Sequence, residues 1–437
     1  MAHIAWLGKK SPFCGNVTYG LSTTEALRAR GHSVSFIHFD TPAAALGRAD
    51  SGATPLGSAR PGNARASRAG ADRSAAAGSR AGRWAGRGTQ TGQAPVPVAA
   101  GDAEPEVALT YLVKSQVYTI PSPGAQRELR ESLERLRPDL VHASLTLSPL
   151  DFRLPDLCQQ LGLPLVATFH PAFDAGLRNL AGGTQQLTYQ LYAPTLARFD
   201  RVIVFSALQA ELLARLGVPE RRLAVIPNGV DPLRWAPAAT GSEPAALQEL
   251  RQRFAGRRVF LYMGRVATEK NVEALLRAWR LVQPQGCVLV VVGDGPARQS
   301  LMQAYGAEQQ VHWWGYEADP QRRLALLQLA EVFLLPSLVE GLSLALLEAM
   351  ASGTACVATD AGADGEVLEE GAGIVISTQG VTTQLRTLLP VLRDQPVLTA
   401  ELGRRARARV LERYTLERNI DALEALYAEL TLQPLAA

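Results

Sequence analysis

The chain contains no apolar run approaching the ~20 residues that a membrane-spanning helix needs, so any membrane contact is expected to be peripheral. It is poor in cysteine: Cys14, Cys158, Cys287 and Cys356 lie far apart and lack paired-ligand spacing. Such cysteines read as reduced, buried thiols of a cytosolic protein, not as a disulfide framework. No metal-binding motif is present. No signal peptide is expected, because the strand-like stretch beginning at His3 runs directly into Lys9 and Lys10. A large charge of one sign is also missing. The net charge of +3 argues against a dedicated nucleic-acid binder. The charge is unevenly spread, however. Residues 41–100 hold eight Arg against Asp50 and Asp72, with no Lys, for a local balance of +6.

What is present is enough for two cores. At 437 residues with 47% apolar content, two domains are expected. The N-terminal half alternates strand-like and helix-like segments: His3 to Gly8, Leu21 to Arg30, then Ser33 to Phe39. That β-α-β order predicts a parallel, doubly wound sheet. The pattern stops over residues 41–104, which are Ala, Gly, Arg, Ser and Pro with almost no periodicity. Burial there does not offset ordering entropy, so a disordered insertion is expected. Order resumes at Val107. Helices are expected at Ala125 to Leu136, Pro155 to Leu161 and Leu187 to Ala197, with strands at Asp139 to Ala143, Pro164 to Thr168 and Arg201 to Phe205. An interdomain turn is expected near Pro227, and a last helix over Leu416 to Leu430.

The densest chemistry lies between Glu331 and Ser377. A buried strand (Val332 to Leu335) leads into a Gly-containing loop, a helix and another strand. Ser343 is the expected N-cap of that helix and Ser352-Gly353 its stop. The loop Gly341-Leu342-Ser343 is expected to present bare amides to a phosphate at the positive end of the helix dipole. Glu340 and Glu348 flank it. Arg265 and Lys270, five apart after the strand Val259 to Met263, can reach one phosphate pair, Arg in bidentate fashion and Lys as a point charge. Gly293-Asp294-Gly295 reads as a structural turn bordering the cleft.

PSLVEGLSLALLEAMASGTACVATD resembles the signature of retaining glycosyltransferase family 4, whose paired glutamates have seven residues between them. VFLYMGRVATEKNVEALLRAW, VLVVVGDGP, AVIPNGVD and ATFH resemble further segments of that family, so most of the chain outside residues 41–105 is covered. The resemblance implies the GT-B architecture, an α/β fold in which two Rossmann-like, doubly wound domains face a central cleft. It implies an N-terminal acceptor-side domain (1–40 and 105–220), a C-terminal nucleotide-sugar domain (221–412) and a final helix (413–437) crossing back to the first domain. It further implies that Arg265 and Lys270 stabilise a leaving diphosphate in place of a metal, with no other cofactor. Glu348 would bind the ribose and Glu340 would lie near the donor hexose, with Gly341, Leu342 and Ser343 along sugar and phosphate. His170, at the family's Thr-x-His position, would contact the donor sugar without acting as a general base. Leu342-Ser343 departs from the aromatic or second Gly common there. Cys14-Gly15-Asn16 departs from a Gly-Gly pair, although Gly15 would still let backbone approach the donor.

The acceptor is less defined. GKKSPFCGNVTYG, SQVYTIPSPG and HASLTLSPLDF resemble the cyanobacterial type of digalactosyldiacylglycerol synthase. That resemblance implies galactose transfer from UDP-galactose to monogalactosyldiacylglycerol, by a cytoplasmic protein held peripherally on a membrane. Lys9 and Lys10 would meet phosphate or lipid headgroup. Phe13, Tyr19, Tyr111, Tyr118, Phe173, Tyr189 and Tyr192, with Arg178 and Arg198, are available for an apolar and basic rim. A soluble sugar or another lipid as acceptor, a nucleotide-sugar epimerase, and a non-catalytic sugar-nucleotide binder remain alternatives.

Overall fold

In the computed structural model, residues 1–11, 15–42, 106–115, 118–171, 180–239, 241 and 243–432 are described. Nearly all of the expected insertion, together with Phe13, Cys14, Phe173 and Arg178, lies outside them.

Two parallel sheets organise the chain. The first contains β1 (His3–Leu7), β2 (Ser33–Pro42), β3 (Val107–Lys114), β4 (Thr119–Pro121), β5 (Leu140–Ser144), β6 (Leu165–Thr168), β7 (Arg201–Val204) and β8 (Leu223–Val225), in the order β4-β3-β2-β1-β5-β6-β7-β8. Among the described strands, only β4 runs antiparallel, against β3. The second sheet contains β9 (Arg258–Met263), β10 (Cys287–Val292), β11 (Val311–Gly315), β12 (Val332–Leu335), β13 (Ala355–Thr359) and β14 (Ile374–Ile376), in the order β11-β10-β9-β12-β13-β14. Sequence order reverses beside β1 and beside β9. In a doubly wound sheet, loops leaving the carboxyl ends of the strands open a crevice at such a reversal.

Strands β10 and β12 are apolar throughout because both faces are covered. Every residue of β10 and of β12 is buried, as a parallel sheet between helix layers requires. One face of the first sheet is covered by the last helix, Leu416–Leu432. Its Ile420, Leu423, Leu426, Tyr427 and Leu430 pack with Ile4, Trp6, Tyr19, Leu27, Val34 and Phe36. The chain thus passes between its halves twice. The two passes meet where Val230 N donates to the Tyr414 carbonyl at 3.0 Å and Leu416 N to the Val230 carbonyl at 2.9 Å. Gly229 permits this contact, since a Cβ there would lie 2.4 Å from the Thr415 carbonyl oxygen.

Two local differences from the sequence reading matter to the site. The first helix spans Gly15–Ala29, so it begins six residues before the expected Leu21, and Gly15 opens a helix instead of lying in a loop. Its opening Gly-Asn-Val-Thr has weak helix propensity, but Val17, Tyr19 and Gly20 are buried against the sheet, and packing decides. Strand β2 runs on to Pro42, pairing with Tyr111, so its end lies inside the segment expected to be an insertion.

Candidate active site

The loops after β9 and β12 are drawn together. Leu338 N donates to the Glu269 carbonyl at 2.9 Å, and Lys270 Nζ reaches Glu340 Oε1 at 2.5 Å. Ser337 Oγ donates to the same carboxylate oxygen at 2.8 Å. Glu340 is 7% exposed, so a cation beside it is a physical necessity. Arg265 pairs with Glu269 one turn on. Both cations expected to bind phosphate therefore hold carboxylates here.

Helix Leu344–Ala351 begins as expected, with Ser343 Oγ accepting from Leu346 N at 3.3 Å and Gly353 at φ +77° after its end. Glu348 is buried within it and pairs with Arg323 at 2.5 Å. Burial pushes the Glu348 carboxyl upward, and Arg323 opposes that shift. Arg323 also lies over the Trp235 ring at 5.2 Å.

The expectation of three bare amides needs correction at Ser343. Its N–H donates to Asp364 Oδ1 at 2.9 Å, so this amide is already satisfied. Burial, reinforced by Glu340, holds the Asp364 carboxyl well above the usual range. The Leu342 side chain is buried in the second core, and its carbonyl accepts from Asn228 Nδ2 at 3.0 Å. Gly341 lies against the other half of the molecule. A Cβ on it would sit 3.2 Å from the His170 carbonyl oxygen and 3.7 Å from the Phe205 ring. The turn Gly293-Asp294-Gly295 is structural, as expected: a Cβ at either glycine would overlap the Gly264 or Val266 carbonyl oxygen. A cavity of about 660 Å³ opens beside it, lined in part by Asp294, Arg298 and Gln299.

His170 follows β6 on the first-half side of the cleft. Its Nε2 lies 2.8 Å from Ser144 Oγ, at the end of β5, and the Tyr19 ring meets its ring edge-on at 4.9 Å. Burial pushes His170 down to about 3, with the Lys9 charge acting in the same direction. The imidazole is therefore neutral near pH 7. Lys9 is buried and Lys10 pairs with Glu106 at 2.6 Å, so both turn inward or onto the protein itself. Gly15 is exposed with open space where a Cβ would stand. The structure thus brings Arg265, Lys270 and Glu340 together, places Glu348 on the helix leaving the same loop, and sets His170 across from Gly341. Arg323, Ser337, Asp364, Asn16 and Ser144 were not singled out from sequence. Ser337, Asn16 and Ser144 lie within the segments quoted above but without an assigned role, whereas Arg323 and Asp364 lie outside them; each is joined to its partner only by the fold.

A family model described as "Glycosyl transferases group 1" matches residues 257–394, and one described as "Glycosyltransferase Family 4" matches residues 99–234. Each half of the chain is thus similar to a glycosyltransferase family, and the fold is GT-B. The alpha-D-kanosaminyltransferase of Streptomyces kanamyceticus is 30% identical over 191 residues, covering 42% of this chain and 49% of that protein. The UDP-Gal:alpha-D-GlcNAc-diphosphoundecaprenol alpha-1,3-galactosyltransferase of Escherichia coli is 26% identical over 233 residues, covering 50% and 57%. This GT-B chain thus spans about half the length of these relatives. The crystal structure of Anabaena HepE in complex with UDP-glucose is 16% identical, covers 98% of this chain and 100% of that one, and superposes with a TM-score of 0.69. That likeness shows the GT-B fold. Among the described residues no helix is long and apolar enough to cross a membrane.

Proposed function

We propose that the protein transfers a hexose from a UDP-sugar to a glycolipid acceptor with retention of configuration and without a metal ion. The observation that carries this reading is the Lys270–Glu340 contact, which closes the loops after β9 and β12 into one charged site opposite His170. In the proposed step the donor C1–O bond breaks and UDP leaves with the electron pair. The acceptor hydroxyl oxygen attacks C1 from the same face, and its proton passes to the leaving phosphate oxygen. Arg265 and Lys270 would exchange their carboxylate partners for the diphosphate and stabilise its developing charge. Glu348 would accept from the ribose hydroxyls, and Glu340 would lie at the hexose. His170, neutral by burial, is not equipped to donate a proton to the leaving group near pH 7.

The lipid acceptor is supported by apolar side chains left in solvent on the first half. Leu112, Val113, Tyr118 and Ile120 are exposed on the β3–β4 hairpin, and Leu187 and Leu191 are exposed one turn apart on helix Leu180–Leu196. The E. coli relative is named for a UDP-galactose donor and a lipid-linked acceptor. We therefore favour galactose as the sugar, monogalactosyldiacylglycerol as the acceptor and the cytosolic face of a membrane as the place. The test is product analysis with UDP-galactose and UDP-glucose offered separately, monogalactosyldiacylglycerol in mixed micelles, and a chelator present. A digalactolipid from UDP-galactose alone supports the full reading. UDP release without a glycolipid product rejects the acceptor.

A further inference from the structure

Asn16, Ser144 and His170 form a hydrogen-bonded series in which every donor and acceptor can be assigned. Asn16 Nδ2 donates to the Leu145 carbonyl at 3.1 Å. Its Oδ1 is thereby turned toward Ser144 Oγ, 2.8 Å away. An amide oxygen only accepts, so the single hydroxyl proton of Ser144 is committed to Asn16. The same Oγ lies 2.8 Å from His170 Nε2 and can only accept there. Nε2 therefore carries a proton. The ring is neutral, so Nδ1 carries none, and it makes no hydrogen bond among the described residues. The rings of Tyr19 and Phe205, at 4.9 and 5.3 Å, hold the imidazole in place.

We propose that Asn16 and Ser144 are positioning residues that lock His170 as its Nε2–H tautomer, so that Nδ1 faces the substrate as an acceptor and takes a hydrogen bond from a sugar hydroxyl. The proposal rests on the sugar-transfer reading for its ligand, but the tautomer is a property of the protein alone. An acceptor-only nitrogen repels a phosphate or carboxylate oxygen, since lone pairs would face each other. His170 is thus assigned to a hydroxyl, and the diphosphate is left to Arg265 and Lys270. His142, one strand away, cannot take this role. Its Nδ1 meets Tyr427 Oη at 2.5 Å and its Nε2 meets Thr168 Oγ1 at 2.7 Å, so both nitrogens are occupied inside the core.

The test is nitrogen NMR of the full chain labelled at histidine, near neutral pH, with the His170 signals assigned by their loss in His170→Asn. Wild-type protein is expected to show a protonated Nε2 and a bare Nδ1. In Asn16→Ala the Ser144 proton becomes available to Nε2, and the ring proton is expected to move to Nδ1. A wild-type ring protonated at Nδ1, or at both nitrogens, overturns the proposal. So does an Asn16→Ala protein that keeps the wild-type tautomer. The wild-type measurement alone decides the tautomer if the variant does not fold.

A second arm uses mono-deoxy UDP-hexoses and mono-deoxy acceptors. Loss of one hydroxyl is expected to lower kcat/KM about tenfold in wild type and to have little further effect in His170→Ala, which lacks the ring. A penalty on a donor analogue places the hydroxyl on the nucleotide sugar, and a penalty on an acceptor analogue places it on the acceptor. The absence of any penalty that depends on His170 overturns the substrate contact, even where the tautomer is as stated.

Discussion

Lys270 and Glu340 stand 2.5 Å apart although 70 positions separate them in the chain. Lys270 is one of four lysines in a chain that otherwise takes its positive charge from arginine. A lysine ammonium is a compact charge on a flexible stem and can move from one oxygen to another, whereas a guanidinium favours a fixed bidentate partner. That mobility fits the proposed exchange of Lys270 from Glu340 to a diphosphate.

Lys270→Ala removes the charge beside a nearly buried Glu340. Transfer is expected to fall at least about 100-fold, and unfolding stability by about 2 kcal/mol. Turnover and urea unfolding measure the two effects. Wild-type turnover in a folded Lys270→Ala protein would remove Lys270 from the donor site.

Glu348→Gln keeps the side-chain volume but leaves Arg323 without a carboxylate. If Glu348 binds the ribose, UDP affinity measured by calorimetry should fall about tenfold. The rate at saturating donor should change less, because the ribose lies away from the reacting carbon. An unchanged UDP affinity would make the Arg323–Glu348 pair purely structural.

Gly362→Ala is expected to disable the donor loop. Gly362 has φ +59°, and a Cβ would stand 2.2 Å from the Glu340 carbonyl oxygen and 2.6 Å from that of Gly341. The expected loss is at least about 2 kcal/mol of stability, together with most of the activity. Gly380→Ala is the control. Its φ of +67° is also strained, but nothing lies within 4 Å, so it should cost about 1 kcal/mol and leave turnover intact.

Acidification separates His170 from the buried carboxyls. Its folded value of about 3 lies below the 6.5 of the free side chain, so its contribution is fully present above pH 6.5 and is lost as pH falls toward 3. Asp151, pushed up to about 6 by burial, acts in the opposite direction, but equally in wild type and in a His170 variant. On going from about pH 7 to about pH 5, His170→Asn should therefore lose about 2 kcal/mol less stability than wild type. Urea unfolding at both pH values measures the difference. Equal losses would mean that His170 titrates normally in the fold.

The strand-loop-helix around Glu340 was legible in sequence because its signals are local. Four apolar residues make β12, Ser343 caps the helix and Gly353 ends it. The partners of those residues were not legible. Arg323 lies 25 positions before Glu348 on a helix with no distinguishing motif, and only the packing of that helix brings the charges together. Asp364 takes the Ser343 amide from 21 positions away. Asn16 was hidden for a different reason. A Gly-Asn-Val-Thr opening has the propensities of a loop, and burial of Val17 and Tyr19 overrides them.

The two chain passes between the halves, bonded to each other through Val230, Tyr414 and Leu416, act as a single pivot. Straps set far apart would resist twisting and allow only a shallow flexing. Passes pinned at one place restrain a swing of the halves less than separated straps would. Any such swing would change the gap between His170 and Gly341, with the last helix moving as part of the first half.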